Sequence, residues 1–178
     1  MGILDYAAIV LTAFHSFLRI GEAFAICRQA ICLNAESCGI IQLGWTKGAK
    51  RKGAEEFTHV EETCVGRLLL RALTLKSLTE PLLAGSAGGF RRWFEDACCR
   101  LGVAHCGFRP YSLRRGGATH HWEVGGNLAK TIERGRWSSV KTARIYLVEA
   151  SAALLVMNLS PAVVLVLKRF AAVVGTGH

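Results

Sequence analysis

Apolar residues recur every three to four positions at the start of the chain: Leu4, Ala7, Ala8, Leu11, Phe14, Phe17, Leu18 and Phe24. That spacing predicts one helix over residues 4–27. The pattern then shortens. Apolar runs at 30–33 and 40–45, either side of NAESCG, predict two strands, and 57–60 predicts a third. KGAKRKGAEE between the last two is basic and glycine-containing, and reads as an exposed hairpin loop. Helical spacing returns over 61–77, and TEPLLAGSAGG then reads as a loop. A helix over 90–101 is expected to close on Gly102. Pro110 precedes a further helix from 112 to about 124, and a short one follows near 127–134. The stretch RWSSVKTARIYL predicts another, with Ser138 as N-cap and Tyr146 at the edge of a stripe formed by Val140, Ala143 and Leu147. The tail from Ser151 reads as one or two apolar helices.

The expected architecture is mainly α with a small antiparallel β-sheet, an α+β fold. No repeat or linker divides the chain. With 178 residues, 51% hydrophobic and 20% charged, it can bury one substantial core.

Charge adds a partner to this picture. The net charge of +9 is clustered. Residues 47–52 hold four positive and no negative charges, and residues 109–146 hold eight positive against two negative. These two segments account for the whole surplus. Solubility does not require such clustering; a polyanion does, with nucleic acid first and an anionic membrane surface second. The alternative is a set of solvated basic faces. Neither tail run, 152–157 or 162–167, reaches the roughly 18–20 residues of a membrane span. Seven cysteines without a CxxC pair favour free thiols in a reducing compartment over a zinc cage or disulfide framework. The start of the chain has no basic segment of the secretory kind, so an intracellular protein is expected.

Candidate chemistry follows from charge and order along the chain. Phosphodiester chemistry needs cationic donors around the phosphorus, a nucleophile in line and an acid for the leaving oxygen. Arginine suits the first role because its planar fork donates to two phosphate oxygens. In order, the chain offers Arg19 in FLRIGEA, Lys47 in WTKG, Arg114 in YSLRRGGAT, Trp137 in RWSS and Tyr146 in RIYL.

Across about residues 10–150, this order resembles the catalytic domain of the tyrosine recombinases, the phage integrases and their relatives. Arg19 with Glu22 matches the first arginine motif, Lys47 the hairpin lysine, Arg114 the second arginine and Trp137 the His/Trp position. Tyr146 lies nine residues further on, at the spacing of the nucleophile. The resemblance implies DNA breaking and rejoining through a 3′-phosphotyrosyl link, without cofactor or metal. Tyr146 would attack, Arg19 and Arg114 would clamp the non-bridging oxygens, and Lys47 would protonate the leaving oxygen. Trp137 would donate its indole N–H or pack the site. Double-stranded DNA is the implied partner. Lys50, Arg51, Lys52, Arg115, Arg136, Lys141 and Arg144 are the candidates to touch it. The expected location is with DNA, in the nucleus for a eukaryotic source.

Plainer readings stand beside these. Arg19 and Glu22, three apart on a helix, read by themselves as a surface ion pair, worth a few tenths of a kcal/mol. Lys50 or Lys52 substitutes for Lys47 if the register shifts. Gly116 and Gly117 serve close helix packing, and Trp137 a hydrophobic staple. His120 and His121 read as surface residues, and nothing orients Cys98, Cys99 and His105 for catalysis. Two departures from the pattern matter. Tyr111 stands where the family usually has histidine, and a phenol is a poor base at neutral pH. Only 18 residues precede Arg19, too few for the family's N-terminal helical domain. The expected organisation is therefore a catalytic domain over 1–150 and an apolar helical tail over 151–178, either standing alone or as a fragment of a longer gene product. That tail packs in cis or docks on another copy. A DNA-binding remnant of a mobile-element recombinase, impaired in catalysis, is the alternative function, with a basic membrane-surface protein third.

Overall fold

The computed structural model describes residues 3–147 and 159–175. Helix α1 (Ile3–His15) is the central strut, and it buries Asp5, Ala8, Ile9, Thr12 and Ala13. It packs against α4 (Thr63–Leu73) on one side and α6 (Pro110–Gly125) on the other. The predicted 4–27 helix is broken. Phe17 adopts φ +48°, and Leu18 N–H returns to Ala13 O at 3.1 Å, so the chain turns before α2 (Ile20–Ala25). Apolar spacing continued through the turn because Phe17 and Leu18 are both buried, each 1% exposed, on either side of it. The break leaves Arg19 at the N-cap of α2 instead of mid-helix.

The three expected strands form one antiparallel sheet in the order β1 (Ile31–Leu33), β2 (Gly39–Gly44), β3 (Glu56–Val60). Ile31 pairs with Ile41, Ile41 pairs with Thr58, and a register shift lies between Gln42 and Gly44. In β3 the inward residues are Glu56, Thr58 and Val60, which leaves Phe57 exposed. Two hydrogen bonds clip the sheet to the end of α1: Ser16 Oγ to His59 O at 2.8 Å, and Thr58 Oγ1 to Ser16 O at 3.0 Å. The β2–β3 connection corrects the loop expectation. Thr46 accepts from the N–H groups of Gly48 and Ala49, both at 3.1 Å, and starts α3 (Lys47–Lys52). Gly53 ends it at φ +71°. A capping threonine and a left-handed glycine one short helix apart are what local chemistry needs for this.

Helix α5 (Ala87–Arg100) follows the N-cap Ser86, starting earlier than expected, and buries Phe90, Phe94 and Cys98 in the main core. Asn127 caps α7 (Leu128–Arg134). The helix predicted over RWSSVKTARIYL is shorter and shifted: Ser139, not Ser138, is the N-cap, and α8 spans only Val140–Arg144. Tyr146 therefore lies beyond the helix, and Val140 is 44% exposed instead of lining a buried stripe. Residues 148–158 of the expected tail lie outside the described residues. Helix α9 (Pro161–Gly175) follows, with Leu159 and Val163 packed on the main core. Among the described residues no helix is long and apolar enough to cross a membrane. All seven cysteines are free thiols.

Candidate active site

A second, smaller core lies apart from the main one. It holds Phe17, Ala118, Trp137 and Ala143, with Ile132, Tyr146 and Leu147 against it. Arg114 is inserted beside it, one turn into α6 and 1% exposed. Its guanidinium donates to Phe17 O at 2.6 Å and to Gly135 O at 2.8 Å, joining the end of α1 to the end of α7. Those bonds use two of five N–H donors. Nε makes no hydrogen bond among the described residues. Burial, with Arg136 and Arg19 nearby, lowers the Arg114 pKa to about 10, so the group stays cationic at neutral pH.

Trp137 and Tyr146 form a stacked pair, ring centroids 4.6 Å apart and 21° from parallel. The Arg114 guanidinium carbon sits 5.5 Å from the Trp137 ring centroid and 5.4 Å from that of Tyr146. This is cation–π geometry in a desolvated setting. Close packing of the backbone permits the stack, since a Cβ at Gly135 would fall 2.5 Å from the Trp137 indole. The indole Nε1 is buried and has no hydrogen-bond partner among the described residues. Unpaired buried donors are rare enough to require a reason. Here two of them, Trp137 Nε1 and Arg114 Nε, belong to one aromatic–cation cluster.

Arg19 reaches the same region from the start of α2. Its guanidinium donates to Glu22 Oε1 at 2.5 Å, and its backbone N–H to Glu22 Oε2 at 2.8 Å. The surface ion-pair reading of Arg19 and Glu22 is thus half right. Glu22 also accepts from Arg136 at 2.7 Å and lies 3.9 Å from Arg114, so one carboxylate organises three arginines. Arg136, expected among the DNA contacts, is instead turned inward at φ +56° between Glu22 and Glu56. Burial, offset in part by Glu22 and Glu56, lowers its pKa.

Tyr111 is half-exposed on the first turn of α6, its ring centroid 6.0 Å from that of Tyr146. Burial and a hydrogen bond with Tyr146 push its phenol up to about 12. Lys47 is the first residue of α3, in the β2–β3 connection where a hairpin lysine was expected but on a helix. Arg51 and Lys52 lie on the same short helix, and Lys50 there is exposed. Lys141 and Arg144 are exposed on α8. Arg115 is half-buried, with Nε unpaired among the described residues.

Sequence reasoning passed over three participants. Arg134 donates to His15 O at 2.9 Å, pairs with Glu61 and lies over the Phe17 ring, holding α7 to α1. Glu56 and Thr46 bond to each other at 2.6 Å. The signal for Glu56 was hidden, because apolar Phe57 suggested the opposite inward face of β3. His121 is not a simple surface residue, since its Nδ1 lies 2.9 Å from Thr131 Oγ1. The helix-packing reading of Gly117 is sound: a Cβ there would lie 1.9 Å from Phe14 O. Among the described residues no cluster of His, Cys, Asp and Glu is arranged to hold a metal.

No protein-family model and no curated protein sequence matches the chain. Among solved structures it is similar to XerA recombinase, with a TM-score of 0.63 and 20% identity. The match covers 89% of this chain and 58% of that one, so the chain spans little more than half the length of its structural neighbour. The helical body with its three-stranded antiparallel sheet is thus a tyrosine-recombinase catalytic-domain-like fold.

Proposed function

We propose that the chain is the catalytic domain of a tyrosine-type DNA recombinase. The observation that carries this reading is the buried Arg114 beneath stacked Trp137 and Tyr146, with donors left unpaired in the same cluster. Such an arrangement fits an anionic phosphate better than it fits a packed core, because an unpaired buried donor costs about 1–3 kcal/mol. Tyr146 Oη attacks the scissile phosphorus of double-stranded DNA and gives its proton to solvent. The P–O5′ bond breaks, and O5′ leaves with a proton from the Lys47 ammonium. Arg19 and Arg114 hold the non-bridging oxygens, with Trp137 Nε1 as a further donor. A 5′-hydroxyl of another strand then attacks the phosphotyrosyl phosphorus and passes its proton to the neutral Lys47 amine, while the bond to Tyr146 breaks and its Oη regains a proton from solvent. The basic side chains on α3 and α8 steer the DNA backbone, so the protein works wherever DNA is, and copies join through the tail.

A nicked DNA substrate that traps the covalent intermediate tests the reading. Wild type forms an adduct that survives denaturant, and Tyr146→Phe forms none; an undiminished adduct in that variant sinks the assignment. Arg19→Ala is expected to slow adduct formation by about 10²–10³. Arg114→Lys is the informative change at the second arginine, because Arg114→Ala also cuts the ties to Phe17 and Gly135.

One observation favours a second reading, a DNA-binding domain that retains the fold with impaired turnover. Tyr111 occupies the expected histidine position, and its phenol, pushed up to about 12, cannot act as a base at neutral pH. Under this reading DNA binds and no adduct forms with any substrate.

A further inference from the structure

Glu56 is a carboxylate only 6% exposed, at an inward position of β3 that a strand built for stability alone would fill with an apolar side chain. Its surroundings are built around it. Thr46 Oγ1 accepts from Gly48 N and Ala49 N, so its hydroxyl hydrogen is directed to Glu56 Oε2, 2.6 Å away. A Cβ at Gly48 would lie 2.5 Å from Glu56 Oε1 and 3.1 Å from Cδ, so glycine lets the carboxylate lie against the first turn of α3. The same Oε2 is 3.4 Å from Arg136 Nε, and Arg136 continues to Glu22 and from there to Arg19. A continuous polar chain therefore runs from the α3 N-cap to the arginine cluster. Lys47 lies between Thr46 and Gly48, the two residues that touch this carboxylate.

We propose that Glu56 is a positioning residue: its buried carboxylate fixes the first turn of α3 against Arg136 and so sets where Lys47 meets the leaving oxygen. This rests on the recombinase reading above, with Lys47 as the acid. A general acid must come within about 2.6–3.2 Å of the oxygen it protonates, and a misplacement of about 1 Å costs on the order of 10² in rate. Glutamine at 56 keeps the shape and an acceptor for Thr46 but loses the charge that holds Arg136.

The test compares ordinary nicked DNA with the same DNA carrying sulfur in place of the bridging 5′-oxygen. A thiolate leaves without being protonated, so the second substrate bypasses the acid. Glu56→Gln and Lys47→Ala are expected to lose about 10–10² in adduct formation on ordinary DNA. Both should return to within about threefold of wild type on the sulfur substrate. Thr46→Val should behave as Glu56→Gln does, and Thr46→Ser should stay near wild type, which keeps the test open if the Glu56 variant does not fold. Glu56→Gln at wild-type rate on ordinary DNA, or equally slow on both substrates, would overturn the inference while leaving the recombinase reading intact. Wild type that forms no adduct on either substrate overturns that reading and the inference with it.

Discussion

At the scale of single residues, the site depends on side chains whose surroundings contradict their type. Arg114, the largest fully buried side chain among the described residues, lies in an aromatic cluster, and Arg136 adopts a left-handed backbone conformation usual for glycine. Strain and buried charge of this kind persist only where neighbours over-determine them, and Glu22 does so here for three arginines. Tyr111 gives a measurable signature. Its phenol ionises near pH 12 in the folded chain against about 10 when unfolded. The unfolded chain thus loses this proton first. The Tyr111 contribution to stability is complete below pH 10 and is lost as pH rises towards 12. The absorbance of wild type minus Tyr111→Phe at 295 nm should step near pH 12; a step near pH 10 would remove the hydrogen bond with Tyr146. Tyr111→His should in turn speed adduct formation by about tenfold or more if proton transfer limits the first step.

At the scale of elements, close approaches between α1, α6 and the α7–α8 connection place the site. Gly117 lets α6 lie against the carbonyl of Phe14, whereas a Cβ at Gly116 would meet the Phe14 ring edge at 3.3 Å. The two neighbours should therefore respond differently to the same change. Gly117→Ala forces backbone apart and is expected to cost about 3 kcal/mol, the upper part of the range for overpacking. Gly116→Ala should stay within about 1 kcal/mol, because a side chain can yield. Urea unfolding of both variants measures this, and equal losses would show that α6 is not seated on Phe14. Much of this level was legible in the sequence: the three strands, the helices near 90–101 and 127–134, and the packing role of Gly117. The turn at Phe17, the helix at Lys47 and the early end of α8 were not. The turn at Phe17 and the end of α8 depend on where buried partners lie, which local periodicity does not carry, whereas the helix at Lys47 rests on its Thr46 cap and Gly53, a local signal masked by the basic run between them.

For the whole molecule, the two basic segments belong to elements that are separate in sequence, α3 on one hand and α6 to α8 on the other. If both face DNA, affinity should fall steeply with salt, and neutralising Lys50, Arg51 and Lys52 together should lower the slope of log K against log salt by about 2–3. Titrations at several salt concentrations read this directly. A slope unchanged by the triple substitution would take α3 off the DNA surface without touching the assignment of Tyr146.

The order Arg19, Lys47, Arg114, Trp137, Tyr146 and the clustered positive charge are properties of the chain itself, because residue type, spacing and net charge need no folding to be read. So is the α+β character, since the helical and strand periods differ. Tertiary structure alone decided which cations are committed inward and which remain outside. Arg114 and Arg136 carry the same charge as Arg144, yet two are buried among carbonyls and carboxylates and one is exposed. Burial depends on the three-dimensional meeting of distant segments, and so does the link from Glu56 through Thr46 to the turn that bears Lys47.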